Sequence, residues 1–121
     1  MSKVDMELKK AFAELQEKQQ ETTQKLRLAD LQIDGLKRNK QHAAITEREI
    51  NALEEGTRTY ESVGRMFLLT PVEKVKENLK AKQNVAEEKI KVLENSKTYL
   101  ENSLKEAADS LRELVQTKKE S

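Results

Sequence analysis

Cysteine is absent from the 121-residue sequence, so neither a disulfide nor a thiolate metal site is available, which suits a reducing compartment. Aromatic residues make up only 3% of the chain, too little to fill a broad globular core. No sign of charge dominates: 23 basic and 22 acidic residues interleave to a net charge of +1. That balance removes any electrostatic drive toward nucleic acid or an anionic membrane. No apolar run approaches the roughly 20 residues that span a bilayer, and the charged start Met1-Ser2-Lys3-Val4-Asp5 does not read as a signal peptide. These absences predict a soluble intracellular protein with no nucleic-acid or membrane partner.

What is present is charge, 37% of residues, set against 36% hydrophobic. Such a mixture suits either disorder or long helices that bury one narrow stripe. Disorder would not preserve a hydrophobic period, and this chain has one. In the first half, apolar residues recur at alternating steps of four and three: Leu8, Phe12, Leu15, Gln19, Thr22, Leu26, Ala29, Ile33, Leu36, Lys40, Ala43. Eight of these eleven slots are apolar. The second half repeats the pattern with Leu79, Gln83, Ala86, Ile90, Leu93, Lys97, Leu100, Leu104, Ala107, Leu111, Leu114 and Lys118. Nine of these twelve slots are apolar. Two strict seams of matched length favour a coiled coil over a globular bundle, whose apolar faces are wider. Glu14–Lys18, Glu21–Lys25, Glu87–Lys91 and Glu101–Lys105 place acid four residues before base, the helix-stabilising order. The polar slots Gln19, Thr22, Lys40, Gln83 and Lys97 are expected to weaken the seam locally. Gly35 costs roughly 1 kcal/mol inside a helix and marks either a bend or a close packing contact.

Between the seams the helical pattern breaks. Thr46-Glu47-Arg48-Glu49 reads as a capping box that starts a short helix running to about residue 55. Residues 57–69 then carry a β-hairpin signal: β-branched, aromatic and aliphatic residues with Gly64 near the middle. Val63 disfavours a type I′ turn at Val63-Gly64. A three-residue turn with Gly64 left-handed is predicted instead, pairing Tyr60 with Met66 and Thr59 with Phe67. Next, Thr70 as cap, Pro71 at the first helical position and Glu73 completing the box start the second long helix.

No constellation of residues carries chemistry. His42, the only histidine, stands beside Lys40 and Gln41 and reads as a solvated helix end. The carboxylates are spread along helix faces and gather in no pocket. There is no P-loop pattern, and Gly64 serves the hairpin turn. The basic run Lys37-Arg38-Asn39-Lys40 is flanked by acids and reads as a solvated face. No enzyme, cofactor or metal is implied.

The predicted fold is mainly α: a long antiparallel coiled-coil helical hairpin with a short helix and one β-hairpin at the bend. A single domain fills residues 1–121, with helices at 4–43, 46–55 and 71–118 and the β-hairpin at 57–69. Leu8 and Phe12 are expected near Leu111 and Leu114. Two isolated strands are marginal in water and expose two unpaired edges, so the hairpin asks for neighbours, most economically other hairpins. A structural scaffold or tethering adaptor that self-associates through its heptads shares the seams but has no use for the hairpin.

The order helix, short helix, single β-hairpin, helix resembles the β-class prefoldin subunits. The string Tyr60-Glu61-Ser62-Val63-Gly64-Arg65-Met66-Phe67 is similar to that family's tyrosine, valine-glycine-basic and phenylalanine pattern. The opening Val4-Asp5-Met6-Glu7-Leu8-Lys9-Lys10-Ala11-Phe12 and the stretch from Ala86 to Glu94 also resemble prefoldin subunit sequences. The resemblance implies a hexamer of two α-class and four β-class subunits whose hairpins join in a β-barrel platform. Tyr60, Val63, Gly64, Arg65, Met66, Phe67, Leu68 and Leu69 would then serve assembly. It further implies arms whose tips hold unfolded polypeptides, notably actin and tubulin, and deliver them to the cytosolic chaperonin without ATP. Val4, Met6, Leu8, Phe12, Leu111, Leu114 and Val115 form the candidate tip: four occupy seam slots, while Val4, Met6 and Val115 lie beside them. A second stripe, Val85, Val92 and Tyr99, reads either as extra coverage by the first helix or as a partner or client surface.

Overall fold

The computed structural model describes residues 3–120. Its elements run α1 (Lys3–Asn51), β1 (Thr59–Val63), β2 (Met66–Thr70) and α2 (Val72–Glu120). The contacts of the described residues divide into two compact units, one of residues 3–31 with 93–120 and one of residues 32–92.

In the first unit α1 and α2 run antiparallel: Glu7 meets Lys118 at 3.0 Å and Asp30 meets Lys97 at 2.5 Å. Thr22, Ala29 and Leu111 are its buried residues. In the second unit Lys40 meets Glu87 at 3.7 Å, and the Gln83 amide donates to Glu47 at 2.5 Å. Ala43, Val75 and Leu79 form a buried cluster against which Ile50 packs. Each helix has only one helical partner, so the buried stripe stays narrow and no large side chain among the described residues is fully enclosed.

All twelve slots of the second seam, from Leu79 to Lys118, are buried or half-buried. The first seam is corrected at two slots. Ala11 and Lys18 turn inward, while Phe12 (54% exposed) and Gln19 face outward. The steps from Leu8 therefore run three-four-three-four to Thr22. Ala11 lines one groove with Ala107, Leu111 and Leu114. A small residue there allows close approach of the helices, which the Phe12 ring would not.

The polar slots do more than interrupt the seam. Lys40, Gln83, Lys97 and Lys118 each reach a carboxylate on the opposite helix. The Asp30 hydrogen bond raises the Lys97 pKa, against the opposing effect of desolvation. A raised folded-state pKa means this contribution is fully present at neutral pH and is lost only as pH rises through that value. The four expected acid-to-base pairs along single helices, in contrast, do not close. Glu87 is drawn across to Lys40, and Lys18 is turned into the seam.

The expected break at residues 43–46 and the separate short helix at 46–55 are not found. Helix α1 continues to Asn51, and the Thr46 hydroxyl donates to the His42 carbonyl at 2.9 Å, a contact made from within a helix rather than from its cap. The chain then tightens: Ala52 and Leu53 donate to the carbonyls of Glu49 and Ile50, and Thr57 donates to that of Glu54. Gly56, at φ 85°, supplies the positive angle that this last turn requires at its third position.

The strands pair antiparallel as Thr59–Thr70, Tyr60–Leu69, Glu61–Leu68, Ser62–Phe67 and Val63–Met66. This replaces the predicted register and leaves a two-residue loop, Gly64-Arg65. Gly64 has φ 63° while no non-glycine among the described residues, Arg65 included, has positive φ, which is the pattern of a type II′ turn. The start of α2 is also adjusted. Thr70 ends β2, and its hydroxyl donates to the Leu68 carbonyl at 3.0 Å. Val75 donates to the Pro71 carbonyl at 3.1 Å, so Pro71 holds the capping position assigned to Thr70.

Two measurements check this arrangement. Carbodiimide coupling of the full chain is expected to join Glu7 to Lys118 and Asp30 to Lys97 within one molecule. In a mixture of isotopically light and heavy chains, hybrid cross-links at the share that random mixing gives would contradict pairing within one chain. Gly35 is not at a close packing contact, since an added Cβ meets only the Arg38 guanidinium at 3.9 Å. Gly35→Ala is therefore expected to stabilise the chain by about 0.5–1 kcal/mol, read as a higher Tm.

Candidate functional site

Successive strand residues alternate faces, and directly opposed residues share one. The observed register therefore puts Tyr60, Ser62, Phe67 and Leu69 on one face of the hairpin. Thr59, Glu61, Val63, Met66, Leu68 and Thr70 occupy the other. The second face is tied to α2, because the Asn78 amide donates to the Glu61 carboxylate at 2.8 Å. At its margin the Thr59 hydroxyl donates to the Thr70 carbonyl at 2.6 Å.

The first face is bare. Tyr60, Phe67 (72% exposed) and Leu69 all stand in solvent, and on the other face Val63, Met66 and Leu68 are exposed as well. Met66-Phe67-Leu68-Leu69 is thus a four-residue apolar run whose side chains are exposed on both faces. Uninterrupted apolar runs are typical of strands covered on both sides. The sheet has two strands only, so the outer edge of each also lacks a backbone partner. Every residue expected to serve assembly, from Tyr60 to Leu69, lies in this one hairpin, with Gly64 and Arg65 forming its turn. Sequence reasoning missed the anchor between Glu61 and Asn78, which are 17 residues apart. The only signal was a lone acid in an otherwise uncharged strand.

At the N-terminal end of α1 and the C-terminal end of α2, the candidate tip residues divide by exposure. Leu111 is buried, and Leu8, Leu114 and Val115 are half-buried. Val4, Met6 and Phe12 are exposed. Phe12 thus leaves the packing role expected of it and joins the accessible apolar surface. In the second unit Val85 and Val92 are also exposed, and in the first unit Tyr99 is, so the first helix does not supply the coverage expected over these positions.

Among the described residues no group of three or more His, Cys, Asp or Glu side chains is placed to hold a metal ion. No helix among them is long and apolar enough to cross a membrane.

The prefoldin subunit family model matches residues 13–118. Prefoldin subunit 1 of Homo sapiens is 53% identical over 116 residues, covering 96% of this chain and 95% of that protein. The Danio rerio protein of the same name is 52% identical over the same coverage. Probable prefoldin subunit 1 of Caenorhabditis elegans is 40% identical over 120 residues, 95% of this chain and 98% of that one. Among solved structures, the prefoldin beta subunit from Thermococcus strain KS-1 superposes with a TM-score of 0.73. It covers 93% of this chain and 96% of its own at 23% identity, a level that speaks to the fold. A family match over most of the chain, relatives above half identity and a shared arrangement of two long helices about one β-hairpin agree: this chain belongs to the prefoldin subunit family.

Proposed function

We propose that the chain acts as a β-class subunit of a hexameric, ATP-independent holding chaperone in the cytoplasm, assembled with α-class and other β-class prefoldin subunits. In this reading the hairpins join into a β-barrel platform. The helical arms capture unfolded polypeptides such as actin and tubulin and deliver them to the cytosolic chaperonin. Prefoldin subunits are a chaperone family rather than an enzyme family. The observation that carries the assembly reading is the hairpin with apolar residues exposed on both faces and both edges unpaired. Strands from neighbouring subunits would satisfy the edges and cover the faces together.

The scaffold reading loses its main support. Its heptads would have to bind another chain, yet Ala29, Ile33, Ala43, Leu79, Ala86, Ile90 and Leu111 are already buried within this one. The capture reading rests on Val4, Met6 and Phe12, whose exposure exceeds what the helix pair needs for its own packing. Apolar burial contributes about 25 cal/mol per Å², so three such side chains supply a few kcal/mol at most, less the cost of ordering the client. Useful affinity then comes from several arms holding one chain together.

Phe67→Asp places a charge in the proposed platform, where an unpaired ion costs several kcal/mol. Sedimentation of the reconstituted complex is expected to show loss of the hexamer, with helicity retained. An intact hexamer would contradict the platform. Replacing Val4, Met6 and Phe12 by serine is expected to leave hexamer size and helicity unchanged while partly reducing suppression of actin aggregation. Full protection at limiting complex would remove this tip as a client site.

A further inference from the structure

In the unit of residues 32–92, α1 and α2 leave an open groove of about 650 Å³. Its floor is apolar: Leu36, Ala43, Leu79, Val85 and Ala86, of which Val85 is 49% exposed. Its rim carries Lys82, Lys89 and His42, and none of its lining residues is Asp or Glu. Among the described residues neither Lys82 nor Lys89 has an ion-pair partner. The contrast within the same unit is sharp. A second hollow mixes Glu47, Glu73 and Glu77 with Lys76 and Lys80, and its Lys76 pairs with Glu73 at 3.9 Å. Nearby Lys40 is matched by Glu87. In a chain whose acids and bases nearly cancel, an apolar floor bordered by cations alone is a local selection.

We infer that this groove holds client segments that combine apolar with acidic side chains, with carboxylates meeting Lys82 and Lys89 while an apolar group covers Val85. The inference rests on the holding-chaperone reading and gives it a client chemistry that the apolar tip lacks. Lys82 and Lys89 are seven residues apart, about 10 Å along a helix, so carboxylates with that separation engage both at once. An occupant of this size buries far less than the roughly 800 Å² per partner of a stable protein interface, which suits a contact made and released rather than a permanent subunit joint. Charge attraction adds little per exposed pair and weakens with salt, so the groove biases which segments are held rather than holding them alone.

The test uses the reconstituted complex and fluorescent, unstructured peptides of leucine, glycine and serine that carry either glutamate or lysine. At low salt the parent complex is expected to bind the glutamate peptide roughly threefold to tenfold more tightly in anisotropy titrations. Lys82→Glu combined with Lys89→Glu is expected to abolish or invert that preference without changing hexamer size. A photoreactive residue at position 85 is expected to capture the glutamate peptide. The same preference in the charge-reversed complex would overturn the inference, as would capture at position 85 of another subunit alone. Equal binding of both peptides by the parent would overturn it while leaving the holding reading standing. Failure to bind either peptide or unfolded actin would sink the holding reading itself.

Discussion

A pair of β-strands has one ladder of backbone hydrogen bonds and two open edges, and an isolated hairpin of this kind is marginal in water. That constraint governs how this chain is to be understood. Helices α1 and α2 satisfy their own backbones and bury their seams against each other. The hairpin between them does neither fully: a side-chain hydrogen bond from Asn78 to Glu61 holds one face toward α2, and the other face lies bare. Exposed tyrosine, phenylalanine, methionine and leucine on five-residue strands leave a sheet whose edges and apolar side chains find no cover among the described residues.

The helices solve a different problem. A seam made only of leucine and alanine tolerates sliding, since a shift of one heptad buries equivalent residues. Polar slots remove that freedom. Lys118 with Glu7, Lys97 with Asp30, Lys40 with Glu87 and Gln83 with Glu47 each meet a partner at the observed alignment. Each contact is worth little alone because its groups remain in part exposed to solvent. A one-heptad slip in one direction would set Lys97 against Lys37, and in the other Lys40 against Lys80, so like charges oppose either slip. The slots that look like defects in the hydropathy pattern therefore specify alignment, at some cost in apolar burial.

The division between what could and could not be read from the sequence follows the range of the forces involved. The two long helices and the hairpin were legible because heptad spacing and a glycine between apolar runs are local signals. The end of α1 was not. Thr46-Glu47-Arg48-Glu49 has the composition of a capping box, but the same threonine hydroxyl is equally satisfied by the carbonyl one turn earlier. Phe12 was placed in the seam because hydropathy ranks it above Ala11, whereas close helix approach favours the smaller residue. The hairpin register was missed because the loop has two residues rather than three. That slip moves Phe67 from opposite Thr59 to opposite Ser62, and so onto the same face as Tyr60. In the site, Tyr60 to Leu69 was legible as a unit, but its anchor at Asn78 and the cation-rimmed groove depend on residues distant in sequence.

The central claim is that the hairpin is completed by strands of neighbouring subunits. Amide hydrogen exchange of residues 59–70, in the isolated chain and after reconstitution with the other prefoldin subunits, tests it most directly. The account predicts that outward-facing amides of both strands exchange quickly in the isolated chain and become strongly protected in the complex, with little change along the buried seams of α1 and α2. Unchanged, rapid exchange in the hairpin of a fully formed complex would contradict it.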